Sequence, residues 1–197
     1  MQKPLLLVSF TMMLGFAYAQ KLVNKKETIK TDIIINNDNG STDLPGFTTS
    51  EDAEKIIIGI MDVVGLKPNF KIKKANVPNV EADIRHRQRY ILYNPDFISL
   101  VNKIAKDKWA SIFILAHEIG HHLNGHTIRG INSRPAIELE ADEFAGFVLC
   151  KMGATIEQAE LALNIIANIN ASKTHPARDA RFSAIERGWN KASNTQH

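Results

Sequence analysis

Apolar residues change their spacing along the chain, and the changes divide it into blocks. The first block, MQKPLLLVSFTMMLGFAYAQ, has Lys3 near its start, an apolar run from Leu5 to Phe16 and the small-x-small triplet Ala17-Tyr18-Ala19. Charge, short apolar run and cleavage triplet, in that order, form the layout of a secretory signal peptide. The run is shorter than the roughly 20 residues that a spanning helix needs. Residues 1–19 are therefore expected to be a signal peptide, cut after Ala19, that exports the chain to the periplasm or the medium. An uncleaved signal acting as an anchor is the alternative. Residues 20–48 are polar and turn-rich around Asn36-Asn37-Asp38-Asn39-Gly40-Ser41. They read as a flexible N-terminal arm with one candidate strand at Asp32–Ile35.

Regular periods begin at residue 49. Thr49-Ser50-Glu51-Asp52 has the spacing of a capping box, which predicts a helix from Ser50 to about Val64, stopped by Gly65 and Pro68. Between residues 70 and 93 the period falls to two, through Phe70 and Ile72, then Val80, Ala82 and Ile84, then Tyr90 and Leu92. That alternation predicts short strands, three at most. Asn94-Pro95-Asp96 opens a helix to Ala105, with Pro in the first turn. Ile112, Leu115, Ala116, Ile119 and Leu123 repeat at helical spacing and predict a helix over 107–124. A further helix runs from Ser133 or Pro135 to Met152 and ends at Gly153. Thr155 with Gln158 forms a second capping box, for a helix to about Ile169, and Thr174-His175-Pro176 opens the last helix, to about Trp189. The expected fold class is α+β, mainly helical with a small three-stranded sheet, in one domain over 49–197.

Composition narrows the function. The chain is 44% apolar and 23% charged, as globular proteins are, and its net charge of +3 comes without a basic patch interleaved with aromatics. Nucleic acid is therefore not an expected partner. One Cys excludes a disulfide within the chain, and no stretch after the signal is apolar enough to span a membrane. Cys150, near Phe147, reads as a small core residue. The histidines are the unusual feature, since four of the seven, His117, His121, His122 and His126, lie within ten residues.

Residues 117–121 read His-Glu-Ile-Gly-His. On a helix, side chains four apart are neighbours, with Cβ atoms about 5–6 Å apart. His117 and His121 can therefore share one metal ion, and Glu118 can reach a water there without taking a coordination position. A zinc ion left one position open lowers the pKa of its water, and a nearby carboxylate can take the proton. A third ligand is needed. The metzincin arrangement fails, because positions 124 and 127 are Asn and Thr. Glu138 and Asp142 are four apart on the next predicted helix and share a face, whereas Glu140 is about 200° round from Glu138. Glu138 is accordingly assigned as the third ligand. Asp142 is expected to accept the ring N–H of a ligand histidine. Ala141, Ala145 and Gly146 are expected to let that helix approach the metal helix closely. His122 and His126 are expected not to be ligands, since position 122 is rotated about 100° from His121. His86, within Arg85-His86-Arg87-Gln88-Arg89, reads as part of a solvated turn.

His117-Glu118-Ile119-Gly120-His121 followed by Glu138-Leu139-Glu140-Ala141-Asp142 resembles peptidase family M48, the gluzincins related to CAAX prenyl endopeptidases. His175-Pro176 followed by Arg181, and Asn79-Val80-Glu81-Ala82 as an edge strand, extend the resemblance over about residues 70–190. It implies a zincin-like domain of the compact, minigluzincin kind and a zinc endopeptidase acting on exported or envelope proteins. One Zn²⁺ would be held by His117, His121 and Glu138, with Glu118 as general base. His175 would donate to the developing oxyanion. Arg181 would orient it or contact the substrate, with Arg178 one turn away as a rival. The substrate, a peptide or protein, would lie extended along Asn79, Val80, Glu81, Ala82 and Asp83. The membrane-embedded members have spanning helices that this chain lacks, so a prenylated substrate is not carried over. A latent or regulatory metal-binding envelope protein, active only with a partner, is the alternative.

Overall fold

Capping side chains set three of the helix starts in the computed structural model, which describes residues 46–128, 134–166 and 176–194. All of them belong to one compact unit, Thr42–His197. The signal peptide, the candidate strand at 32–35, the end of the helix expected near Ile169, and His175 lie outside the described residues. The elements are α1 (Ser50–Val63), β1 (Phe70–Lys74), β2 (Val80–Arg85), β3 (Gln88–Tyr93), α2 (Pro95–Ala105), α3 (Trp109–Leu123), α4 (Pro135–Lys151), α5 (Ile156–Ile166) and α6 (Arg178–Ser193). The fold is α+β, mostly helical with one three-stranded sheet.

The local causes are visible. Thr49 Oγ1 accepts the Asp52 N–H at 3.1 Å and Asn94 Oδ1 accepts the Asp96 N–H at 2.9 Å, each satisfying a first-turn donor. Thr155 and Gln158 bond reciprocally, at 2.9 and 3.3 Å, before α5. The last helix starts later than His175-Pro176 suggests and runs on to Ser193. Pro176 and Ala177 precede its first turn, so the proline directs the chain into the helix rather than forming part of it.

The sheet has the order β1-β3-β2, with β1 parallel and β2 antiparallel to β3. His86 and Arg87, both at positive φ (50° and 64°), form the exposed two-residue turn between β2 and β3. Inserting β3 in the middle leaves β2 as an edge strand, on the side of the sheet that meets α3. The core lies between this sheet and the helices. Phe47, Ile91, Tyr93, Phe113, Leu115, Ile119, Leu149 and Leu163 are fully enclosed in it. Phe47 belongs to the segment expected to be a flexible arm. It packs edge-on against Tyr93, with centroids 5.4 Å apart, and its carbonyl accepts from Asn102 Nδ2 at 3.0 Å. The ordered domain therefore begins before residue 49.

Helix α3 is the central element. Its expected apolar stripe covers one face, yet Trp109 to His117 are all buried, as are Ile119, Gly120 and His122. Helices α4 and α6 meet most closely where neither has a side chain. A Cβ on Gly188 would stand 1.8 Å from the Glu143 carbonyl oxygen, and one on Gly146 would stand 2.2 Å from that of Ile185. Gly146 thus serves the α4–α6 contact, not the approach of α4 to the metal helix that its position had suggested.

Gly188→Ala should therefore force the two helices apart and destabilise the fold by about 1–3 kcal/mol. Gly59→Ala, where the new methyl would meet only Met152 Cε at 3.7 Å, should be neutral or stabilise by up to about 1 kcal/mol. Urea unfolding of the two variants distinguishes these outcomes.

Candidate metal centre

Two helices bring three donors together. His117 and His121 lie one turn apart on α3. At Gly120, α3 approaches α4 so closely that a Cβ would meet Ala141 Cα at 3.2 Å. This contact places Glu138, in the first turn of α4, opposite both imidazoles. His117 Nε2 is 3.1 Å from His121 Nε2 and 3.5 Å from Glu138 Oε2, and His121 Nε2 is 3.7 Å from Glu138 Oε1. A tetrahedral ion with bonds of about 2.0–2.2 Å needs donors about 3.3–3.6 Å apart. His117, His121 and Glu138 each offer a donor atom within 4.8 Å of the others, close enough to hold a metal ion. Two imidazoles and a carboxylate on buried helices form a ready donor set for it.

The other side chains expected at the site divide by position. Asp142, with no exposed surface, lies 2.9 Å by Oδ1 from His117 Nδ1. Its two oxygens also accept from Arg181 Nε and Nη2, both at 2.7 Å. Arg181 is itself 7% exposed. Arg181, expected to orient the developing oxyanion or contact the substrate, is thus held on two bonds by a buried carboxylate. Arg178, its rival, reaches Asn164 and lies over the Phe182 ring.

Glu118 points the other way, to the sheet. Its Oε2 accepts the N–H of Ala82 on β2 at 2.7 Å. Val80, Glu81, Ala82 and Asp83 all lie in that edge strand, and Asn79 just precedes it, its carbonyl accepting the Asn94 N–H at 2.8 Å. The segment read as a substrate edge is thus fastened to the helix that carries the histidines.

Electrostatics separates these groups. Burial opposes a charge on His117, but hydrogen bonds to Asp142 and Glu138, with the nearby negative charges, outweigh it and raise the ring to about 10. His121 is lowered to about 3, first by burial and then by the charge on His117. Burial also raises the Glu118 carboxyl to about 7, against the lowering effects of His117 and the Ala82 N–H. Arg181 and His117 hold Asp142 below the ordinary carboxylate range despite its burial.

His122 and His126 do not join the donor set, and both have other partners. His122 is fully buried, 2.8 Å by Nε2 from the Tyr90 carbonyl and 3.1 Å by Nδ1 from Thr127 Oγ1, and stacks on Phe70. It ties α3 to the sheet. His126 Nδ1 lies 3.0 Å from His121 Nδ1, and its Nε2 lies 3.0 Å from Glu140 Oε2. The available signal for this contact was Gly125, whose position just after a helix end folds the chain back. Comparisons with known protein families, with curated proteins and with solved structures return no match.

Metal analysis after zinc loading should find about one ion per chain in the wild type and a sharp loss in Glu138→Ala. Glu140→Ala should still fill at saturating zinc. Asp142→Ala should weaken the site less than Glu138→Ala, by about 10–100-fold. Arg181→Ala leaves a buried carboxylate short of its counter-ion and should destabilise the metal-free protein by about 3–5 kcal/mol in urea unfolding.

Proposed function

We propose that the chain is a zinc-dependent endopeptidase of the gluzincin kind, similar to peptidase family M48, and that it cleaves exported or envelope proteins. The observation that carries this reading is a single convergence. Three donors, two buried and one partly buried, come together, and the carboxylate beside the first of them is hydrogen-bonded to an edge strand. His117, His121 and Glu138 would hold the ion. Zinc bound there supplies a Lewis acid that polarises a peptide carbonyl and lowers the pKa of a water.

The chain's own residues account for the remaining steps. Ala82 occupies one oxygen of Glu118, and the other is assigned to the attacking water. Glu118 takes that water's proton and returns it to the leaving amine nitrogen. The outer edge of β2 would accept an extended peptide through main-chain bonds, the Ala82 and Ile84 N–H groups being released by Glu118 and Asp83 as it binds, with the scissile bond next to the helix of the histidines. Asp142 keeps His117 in the tautomer that presents Nε2 to the ion, and Arg181 holds Asp142. His175 is assigned as the donor to the developing oxyanion.

The test is cleavage of an unfolded-protein or peptide library by residues 20–197, wild type against Glu118→Gln. The variant should keep one zinc per chain and lose cleavage by about 10²–10⁴-fold. His175→Phe should lower kcat with little change in KM. Wild-type protein that is loaded with zinc yet cleaves nothing would instead support a regulatory metal-binding protein, and cleavage only with an added envelope partner would support a latent peptidase.

A further inference from the structure

Helix α3 ends in a turn that brings a histidine back onto one of the donors. Asn124 is the last residue with helical angles, and Gly125 follows at a φ of +73°. The Gly125 N–H donates to the His122 carbonyl at 3.3 Å, and the His126 N–H to the His121 carbonyl at 3.0 Å. This double bond pattern is the Schellman turn, which places the second residue after the helix against the residue five positions earlier. That contact is usually between apolar side chains. Here it joins two imidazoles, His126 and His121, by their Nδ1 atoms at 3.0 Å.

Proton counting gives the contact a direction. Glu140 Oε2, 3.0 Å from His126 Nε2, can only accept when ionised. In the neutral ring of His126 the hydrogen then sits on Nε2, which leaves Nδ1 as a lone pair. His121 Nδ1 must in turn be the donor. The remaining nitrogen of His121, Nε2, then carries a lone pair directed at His117 Nε2 and Glu138. That is the tautomer a metal ligand requires.

We propose that His126, backed by Glu140, is a positioning residue that fixes the tautomer and ring angle of His121 for metal binding. The proposal rests on His117, His121 and Glu138 being a metal site and does not depend on peptidase activity. His117 receives the same service directly from Asp142. The two ligand rings are thus held by different devices: a buried carboxylate clamped by Arg181 for one, and an imidazole relayed to an exposed carboxylate for the other.

The test is the zinc dissociation constant, by competition with a chromophoric chelator, together with the visible spectrum of the cobalt-loaded protein. His126→Ala should bind zinc about 10–100-fold more weakly than wild type and shift the cobalt bands. His126→Asn, whose side-chain oxygen can still accept from His121 Nδ1, should recover most of the affinity. A purely structural role for His126 would not produce that recovery. Glu140→Ala, at an exposed position that does not threaten folding, should weaken binding by a smaller factor in the same direction. Wild-type affinity in a folded His126→Ala would overturn the proposal. If His126→Ala does not fold, wild-type affinity in Glu140→Ala would overturn it. A wild-type protein that binds neither metal would overturn the metal site itself, a result that these variants cannot imitate.

Discussion

A carboxylate with no access to solvent holds the working half of this molecule together. Asp142 stands on α4, takes two bonds from Arg181 on α6, and meets His117 on α3. Unpaired, such a charge would cost several kcal/mol to bury, so all three helices must sit where its partners can reach it. The close approach of α4 to α6 at Gly146 and Gly188, and of α3 to α4 at Gly120, makes that possible. Packing and electrostatics are therefore one constraint here. Small residues let the helices touch, and the touching helices enclose a charge that only the correct docking satisfies.

The same docking makes the donor set. Once α3 and α4 lie together at Gly120 and Ala141, Glu138 comes within 3.5 Å of His117 and 3.7 Å of His121. Its carboxylate and the two imidazoles then compete for few protons in a buried space. His117 is pulled strongly toward the charged form and His121 strongly away from it. A cation at the meeting point would take over the role of that imidazolium charge, so the geometry that stabilises the protonated histidine is also one that a metal ion satisfies.

Much of this was legible from residue spacing. The i, i+4 histidines, the capping residues Thr49, Asn94 and Thr155, and the alternation at 70–93 each act within one turn or one strand, which local sequence can express. The reading weakened where the cause was tertiary. Nothing near Arg181 states that its partner is 39 residues away, and the reading went no further than orienting the oxyanion or contacting the substrate. Gly146 advertises a close approach without naming the helix that makes it. Phe47 follows a polar stretch, and only the space beside Tyr93 shows why it is ordered. Glu140 was set aside on its helical angle to Glu138, and His126 was expected not to be a ligand. Helical angles do not describe a residue beyond the helix end, and there the Gly125 turn decides the direction.

Edge strand β2 carries the last link between fold and chemistry. A free strand edge ordinarily invites pairing with whatever extended chain is present, and proteins usually cover or charge it. Here the Ala82 N–H is already engaged by Glu118 and the Ile84 N–H by the side chain of Asp83, at 2.7 Å in both cases. These bonds partly satisfy the edge with carboxylates rather than with a neighbouring strand. A carboxylate that holds a strand N–H is a weaker seal than a ladder of main-chain bonds, because one proton gained or one cation nearby changes its strength as an acceptor. Glu118 therefore couples the state of the edge to the state of the donor cluster. In the proposed enzyme, the group that moves the proton is also the group that touches the strand where the substrate would lie.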